Sequence, residues 1–259
     1  MKTIRKYGEA PYTIGVLHGG PGAAGEMRPV AVELSKDFGV LEFLQTKESV
    51  YGQIEELHQQ IFTVTDEPIV LIGFSWGAWL GGLFAARYPE RVKKLILVSS
   101  GALDEKYNKN LMGTRLGRLD AEERDDISNL LSQLNAGELS TEDFKRFGEL
   151  MTKADSYSLA KDLAAKPIVV NKMIYEKVWS EAAILRKTGE LIDSFALIQC
   201  PVVAFHGNYD SHPIEGVEKP LSHVLSNFKI VQLAQCGHTP WIEQFAKADF
   251  YMYLKDELK

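Results

Sequence analysis

Ile-Val-Leu-Ile-Gly-Phe-Ser-Trp-Gly-Ala-Trp-Leu-Gly-Gly-Leu-Phe-Ala-Ala-Arg, residues 69–87, joins an apolar run to a segment with helical spacing. The apolar run is typical of a buried strand, and the remainder predicts a helix. Ser75 stands at the junction, with Gly73 and Gly77 two positions away on either side. A serine in a tight strand-to-helix turn brings the neighbouring backbone too close for Cβ atoms, which explains glycine at both positions. The pattern therefore predicts a serine nucleophile at the end of a strand.

The regions around this junction alternate between short apolar runs and helical patterns. Such alternation is typical of a parallel sheet whose strands are connected by helices. We therefore expect an α/β fold, a mostly parallel open sheet with flanking helices. The predicted strands are 12–17, 39–43, 68–74, 94–99, 201–206 and 229–233, and the predicted helices are 26–36, 49–62, 75–87 and a long amphipathic closing helix over 241–258.

Residues 101–194 interrupt this alternation, because they carry only helical patterns. The firmest helices are predicted over 120–134, 140–154 and 171–187. We interpret the segment as an all-helical cap inserted into an α/β core formed by residues 1–100 and 195–259. No low-complexity linker flanks the segment, so we expect the cap to be docked on the core.

The composition excludes several classes of protein. Asp and Glu outnumber Lys and Arg by 35 to 29, which gives a net charge of −6, and no basic stripe stands out, so nucleic acid is not an expected partner. No apolar run approaches the roughly 20 residues needed to cross a bilayer, so we expect no membrane association. Two cysteines, Cys200 and Cys236, are too few for a disulfide framework, and the absence of a signal-peptide pattern favours the cytoplasm. The expected partner is a small-molecule substrate. The oligomeric state does not follow from the sequence.

A glycine-rich segment follows the first predicted strand. It reads His18-Gly19-Gly20-Pro21-Gly22, and its backbone amides can point to the edge of the sheet where Ser75 is expected. Acyl transfer requires N–H donors for the negative oxygen of the tetrahedral intermediate. We predict that Gly20 and Trp76 are these donors and that Gly19 belongs to the substrate pocket.

Two further polar residues, Asp210 and His238, lie just beyond the last two predicted strands. The order Ser75, Asp210, His238 places nucleophile, acid and base at the carboxyl ends of different strands, which meet at one edge of an open sheet. His238 would take the proton of Ser75 and return it to the leaving group, while Asp210 would orient and stabilise the imidazole. Trp241, three residues after His238, could line the pocket or anchor the closing helix.

Other residues could fill these roles. Asp104, shortly after strand 94–99, is a rival catalytic acid, but the turn-forming neighbours of Asp210 favour the later residue. Asp210, Asn208 and His212 could instead bind a metal ion. Because this single loop offers no convergent fourth ligand, we predict no metal and no cofactor.

Together these motifs resemble those of the α/β-hydrolase family. The match comprises residues 18–22, 73–77, 89–92 (Pro-Glu-Arg-Val), 206–210 (His-Gly-Asn-Tyr-Asp) and 236–238 (Cys-Gly-His). His-Gly-Gly-Pro-Gly joined to Gly-x-Ser-Trp-Gly is most similar to prolyl iminopeptidases, which remove an N-terminal proline. Those enzymes carry an Asp-x-Arg-Gly-x-Gly stretch where this chain has residues 44–49. The resemblance implies that acidic cap residues could bind a substrate ammonium group, and the candidates are Glu138, Glu149, Asp155 and Glu176.

The leading hypothesis is a serine hydrolase that cleaves a small carboxylic ester or amide through an acyl-enzyme, with the cap selecting the substrate. Within that class, an ester hydrolase is preferred and a proline iminopeptidase is the alternative. A non-catalytic ligand receptor on the same fold and a lyase that uses the same serine and histidine are alternatives from other classes. The presence of all three triad members favours catalysis.

Overall fold

A mixed sheet forms the centre of the molecule. The structure, a computed structural model, describes residues 3–160 and 170–259. Within these residues the strands are β1 (Ile4–Tyr7), β2 (Tyr12–Leu17), β3 (Gly39–Phe43), β4 (Ile69–Phe74), β5 (Val92–Val98), β6 (Val202–Gly207) and β7 (Phe228–Leu233). Their order is β1-β3-β2-β4-β5-β6-β7. β1 is antiparallel to β3 and every other neighbouring pair is parallel, which confirms the predicted mostly parallel α/β sheet.

β1 is a strand that the sequence pattern does not predict, because Arg5 and Lys6 interrupt its apolar character. In the structure, two side chains of β1 reach the Oε2 atom of Glu42 on β3: Tyr7 donates at 2.7 Å and Arg5 at 3.3 Å. The side chain of Glu42 is fully buried. This edge strand is therefore held by hydrogen bonds to a buried carboxylate as well as by its backbone pairing.

Helices cover both faces of the sheet. In the described part of the chain they are α1 (Arg28–Leu34), α2 (Val50–Phe62), α3 (Trp76–Arg87), α4 (Leu111–Leu116), α5 (Ala121–Ala136), α6 (Thr141–Asp155), α7 (Lys172–Thr188), α8 (Glu190–Phe195), α9 (Glu215–Val224) and α10 (Lys247–Asp256). α1 and α10 pack on one face, and α2 and α3 pack on the other. The central strands are thus buried on both sides, which explains why they read as nearly continuous apolar runs. None of the described helices is both long enough and apolar enough to span a membrane.

Helices α4 to α8 lie between β5 and β6, in the segment predicted as a cap. α5, α6 and α7 begin and end within two residues of their predicted bounds. α5 and α6 share an apolar cluster of their own, whereas α7 and α8 contribute to the main core beside α3. Residues 161–169 of the predicted cap lie outside the described residues. The division into a core and an inserted cap stays a prediction.

The predicted closing helix over 241–258 is wrong at its beginning. Residues Pro240–Ile242 form one 3₁₀ turn, and α10 begins only at Lys247. Between them Glu243 is extended, with φ −77° and ψ 131°, and its fully buried carboxylate accepts backbone N–H groups. Helical periodicity records the spacing of apolar residues, so it does not detect a polar side chain that is drawn into the interior.

The docking of α8 on α3 can be tested by mutation. Phe195 is fully buried, and its ring occupies the space beside Gly82 of α3. Phe195→Ala should lower the free energy of unfolding by about 3–5 kcal/mol, because it leaves a cavity in place of a large side chain. Leu197, which is 64% exposed, provides the control, since Leu197→Ala should change stability by less than about 0.5 kcal/mol. Urea unfolding followed by circular dichroism measures both, and equal losses would contradict the docking.

Candidate active site

Ser75 lies in a strained turn between β4 and α3. Its backbone has φ 51° and ψ −112°, a region that costs a residue with a Cβ atom about 1–3 kcal/mol. The Ser75 N–H donates to the carbonyl of Val98 on β5 at 3.0 Å. A Cβ on Gly73 would collide with the carbonyl oxygen of Gly77, and a Cβ on Gly77 would collide with the carbonyl oxygen of His18. Close backbone approach therefore requires both glycines of the motif.

The glycine-rich loop over 18–22 lies beside this turn. A Cβ on Gly20 would meet no atom within 4 Å, so this residue borders open space. Trp76 is the first residue of α3, a position whose N–H has no acceptor within the helix. The side chain of Trp76 is buried, and its Nε1 donates to Oε1 of Gln53 at 3.1 Å. Trp76 can therefore offer a substrate its backbone N–H but not its indole ring.

Asp210 and His238 are brought together from the loops after β6 and β7. Nδ1 of His238 lies 2.8 Å from Oδ2 of Asp210, whose side chain is fully buried. Burial opposes ionisation of Asp210, but the facing histidines, His238 first, hold its pKa well below the usual range. Burial would also lower the pKa of His238, but the charge of Asp210 outweighs it and raises that pKa. His238 is thus a stronger base than free imidazole, which suits a general base.

Phe74 connects the nucleophile turn to the histidine loop. It immediately precedes Ser75, and its ring centroid lies 5.1 Å from that of His238. The Ser75 hydroxyl makes no hydrogen bond to His238 within the described residues. Trp241 is buried and packs edge-on against Phe74, with ring centroids 4.6 Å apart, so it supports Phe74 from the interior. Its contact with a substrate stays a prediction.

Glu26 belongs to the site but is not predicted from the sequence, where it is only the first residue of a helical pattern. The N–H of Gly19 donates to Oε2 of Glu26 at 2.8 Å, so this amide already has an acceptor. The bond fixes the glycine-rich loop, in which Gly20 borders open space. Burial raises the pKa of Glu26 to about 7, while the nearby charge of His238 acts in the opposite direction. The placement of Gly19 in the substrate pocket stays a prediction, and a substrate would compete with Glu26 for its N–H.

Glu243 fixes the loop that carries His238, and sequence reasoning does not predict this role either. Its carboxylate accepts backbone N–H groups from Gly237 at 2.8 Å, Tyr157 at 2.8 Å and Ser158 at 2.7 Å. The N–H of His238 itself donates to the carbonyl of Asp155 at 2.8 Å. The segment that follows α6 is therefore bonded directly to the histidine loop.

The acidic residues expected to bind an ammonium group have different surroundings. Asp155 is buried and accepts two hydrogen bonds from Arg115, at 2.9 and 2.6 Å. Burial would raise the pKa of Asp155, but the Arg115 guanidinium lowers it below its usual value. This carboxylate is therefore already neutralised by a cation of the protein. Glu138, Glu149 and Glu176 are exposed, as is usual for charged side chains.

The rival acid and the rival metal site can be compared with this geometry. Asp104 accepts the N–H of Lys106 at 2.9 Å and pairs with its ammonium group at 2.7 Å. The acid that contacts His238 is instead Asp210, at 2.8 Å. Of the rival metal ligands, Asp210 and His212 offer, together with His238, potential ligand atoms within 4.8 Å of one another. Oδ1 of the third rival ligand, Asn208, accepts the N–H of Cys236 at 3.4 Å. Both imidazoles, however, direct Nδ1 at the Asp210 carboxylate, and a metal bound there would have to replace these hydrogen bonds. We therefore propose no metal at this site.

Comparison with known proteins agrees with this architecture. A family model described as alpha/beta hydrolase fold matches residues 46–238. The chain is 23% identical to the pimeloyl-[acyl-carrier protein] methyl ester esterase of Hamiltonella defensa, over 98% of this chain and 98% of that protein. The solved structure of VinJ is similar over 98% of this chain and 93% of that chain, with a TM-score of 0.69 and 18% identity. A proline iminopeptidase from Mycobacterium smegmatis is similar over the same shares, with a TM-score of 0.65 and 17% identity.

Glu26 should make stability depend on pH in a predictable direction. Its pKa of about 7 in the folded protein exceeds its ordinary value of 4.5, so its contribution to stability is fully present below pH 4.5 and is lost as the pH rises through 7. Glu26→Gln keeps an acceptor for the Gly19 N–H but cannot ionise. Its midpoint of thermal unfolding should therefore rise relative to the unsubstituted protein as the buffer is changed from about pH 5 to about pH 8.

Thermal unfolding of both proteins over this pH range, followed by circular dichroism, measures the effect. Glu218 is an exposed glutamate of α9, and Glu218→Gln is the matched control, for which no such trend is expected. The same trend in both variants, or none in Glu26→Gln, would refute the role assigned to the Glu26 carboxyl.

Proposed function

Because the chain belongs to the alpha/beta hydrolase fold family, we propose that it is a serine hydrolase that cleaves a small carboxylic ester, with Ser75 as nucleophile, His238 as base and Asp210 as acid. The observation that carries this proposal is the 2.8 Å contact between His238 and the buried Asp210. His238 also packs against Phe74, the residue before Ser75, whose backbone is strained. A buried charge and a strained backbone both cost stability, and such features cluster at catalytic sites. A receptor would need neither of them.

The residues support a two-step acyl transfer. The Ser75 Oγ attacks the ester carbonyl carbon while His238 takes the hydroxyl proton, and the N–H groups of Gly20 and Trp76 donate to the negative carbonyl oxygen. The imidazolium then gives its proton to the alkoxide oxygen as the ester bond breaks, which releases an alcohol and leaves acyl-Ser75. Water attacks this acyl group with His238 again as base. The carboxylic acid leaves and Ser75 regains its proton.

Two observations favour an ester over a substrate with a free terminal amine. The curated relative that matches along nearly the whole chain is, by its name, a methyl ester esterase. The buried acid of the cap, Asp155, is paired with Arg115, so it is not available as the partner of a substrate ammonium group. An iminopeptidase, supported by the similarity in fold, is the second candidate.

A fluorophosphonate probe tests the nucleophile. The probe should label the protein at Ser75, located by mass spectrometry of its peptides. Ser75→Ala should abolish labelling and lower kcat for a nitrophenyl ester by on the order of 10⁶, by comparison with other serine hydrolases, with an unchanged circular dichroism spectrum. Ser222, an exposed serine of α9, provides the control variant Ser222→Ala, which should be labelled like the unsubstituted protein. A folded protein that is not labelled would count against the proposal.

The class of substrate is tested by comparing short nitrophenyl esters with proline naphthylamide. We expect kcat/KM to be higher for the esters and to fall as acid protonates His238, whose pKa is raised by Asp210. A preference for the amide would instead support the iminopeptidase. Tight binding of either compound without any hydrolysis would support a receptor.

A further inference from the structure

The Asp210 carboxylate binds two imidazole rings, one more than the proposed mechanism uses. Oδ2 lies 2.8 Å from Nδ1 of His238, and Oδ1 lies 2.9 Å from Nδ1 of His212. The backbone N–H of His212 also donates to Oδ1, at 2.9 Å. The two rings are stacked, with centroids 4.7 Å apart and planes at 30°. His212 therefore shares both the carboxylate and the ring face of the proposed catalytic base.

The hydrogen atoms of this arrangement follow from chemistry. An ionised carboxylate only accepts hydrogen bonds, so each Nδ1 must carry a proton and donate to Asp210. In a neutral ring, Nε2 then carries a free lone pair. This is the tautomer that His238 needs in order to take a proton from Ser75. His212 is held in the same tautomer beside it.

The groups around His212 favour the neutral form of its ring. It faces Asp210 on its own loop, His238 on the loop after β7 and Arg115 on α4. Burial lowers the pKa of His212, and the positive charges of His238 and Arg115 act in the same direction, although Asp210 opposes them. Nε2 of His206, on β6, donates to the carbonyl of His212 at 2.8 Å and so fixes the backbone of the loop.

We propose that His212 is a positioning residue of the triad: it occupies Oδ1 of Asp210 so that Oδ2 stays directed at His238, and it limits how basic His238 becomes. This role rests on the proposed function. When His238 takes the proton of Ser75, its positive charge forms against the face of a neutral ring. The hydrogen bond from His212 withdraws part of the negative charge of Asp210, so the imidazolium can still release its proton to the leaving group.

Three substitutions separate this role from simple packing. His212→Phe keeps a ring but removes the donor, and His212→Asn places an amide nitrogen near the position of Nδ1. His223→Asn, at an exposed histidine of α9, is the control. The rate of fluorophosphonate labelling of Ser75 is measured against pH for all three. For His212→Phe we expect labelling slower by on the order of tenfold, below the full effect of a general base, and an acid limb at higher pH.

His212→Asn should recover most of the lost rate and return the acid limb toward that of the unsubstituted protein. An unchanged pH profile in His212→Phe would overturn the proposal. Equal losses in both variants with an unmoved acid limb would also overturn it, because packing alone would then account for the effect. The His223→Asn variant should behave as the unsubstituted protein does.

A measurement on the unsubstituted protein decides the question if His212→Phe does not fold. The downfield region of the proton NMR spectrum should show two imidazole N–H resonances from donors to Asp210, and His212→Asn should lose one of them. A single resonance in the unsubstituted protein would refute the shared carboxylate. This readout does not depend on Ser75, so an unlabelled protein would contradict the serine hydrolase, whereas a single resonance would contradict the role of His212.

Discussion

The buried charge of Asp210 is the constraint on which the site depends. A carboxylate that is sealed from water is stable only when its oxygens receive enough hydrogen bonds, and here the donors are the two imidazoles of His212 and His238 and one backbone N–H. His238 comes from a different loop, so the loops after β6 and β7 have to lie side by side. The parallel pairing of these strands, which continues to Gly207 opposite Leu233, provides that arrangement.

Glycine allows the remaining loops to approach the same edge of the sheet. A Cβ on Gly207 would collide with the carbonyl oxygen of Cys236, just as one on Gly77 would collide with that of His18. The end of β6 therefore lies directly against the loop of His238, and the start of α3 lies directly against the glycine-rich loop. Glycine is required where these backbone segments touch, so glycines lie next to the proposed catalytic residues. In the sequence, the site therefore takes the form of several short glycine-containing motifs.

The sequence predicts the parts of the molecule that depend on local patterns. The parallel sheet, the turn at Ser75 and the proximity of Asp210 to His238 follow from strand order and motif spacing. The roles of Glu26, Glu243 and His212 do not follow from such patterns. Each is a single polar side chain, and its role depends on contacts with residues that are distant in the sequence. β1 is missed for the same reason, since a buried carboxylate on another strand compensates for its charged residues.

The helical segment takes part in building the site. The carbonyl of Asp155, at the end of α6, accepts the N–H of His238, and Nη1 of Arg118 donates to Oγ of Ser211, next to Asp210, at 2.7 Å. Displacing α6 would break the hydrogen bond to the loop of His238, and displacing the residues between α4 and α5 would break the one to the loop of Asp210. Substrate entry that preserved the base would therefore have to leave the end of α6 in place.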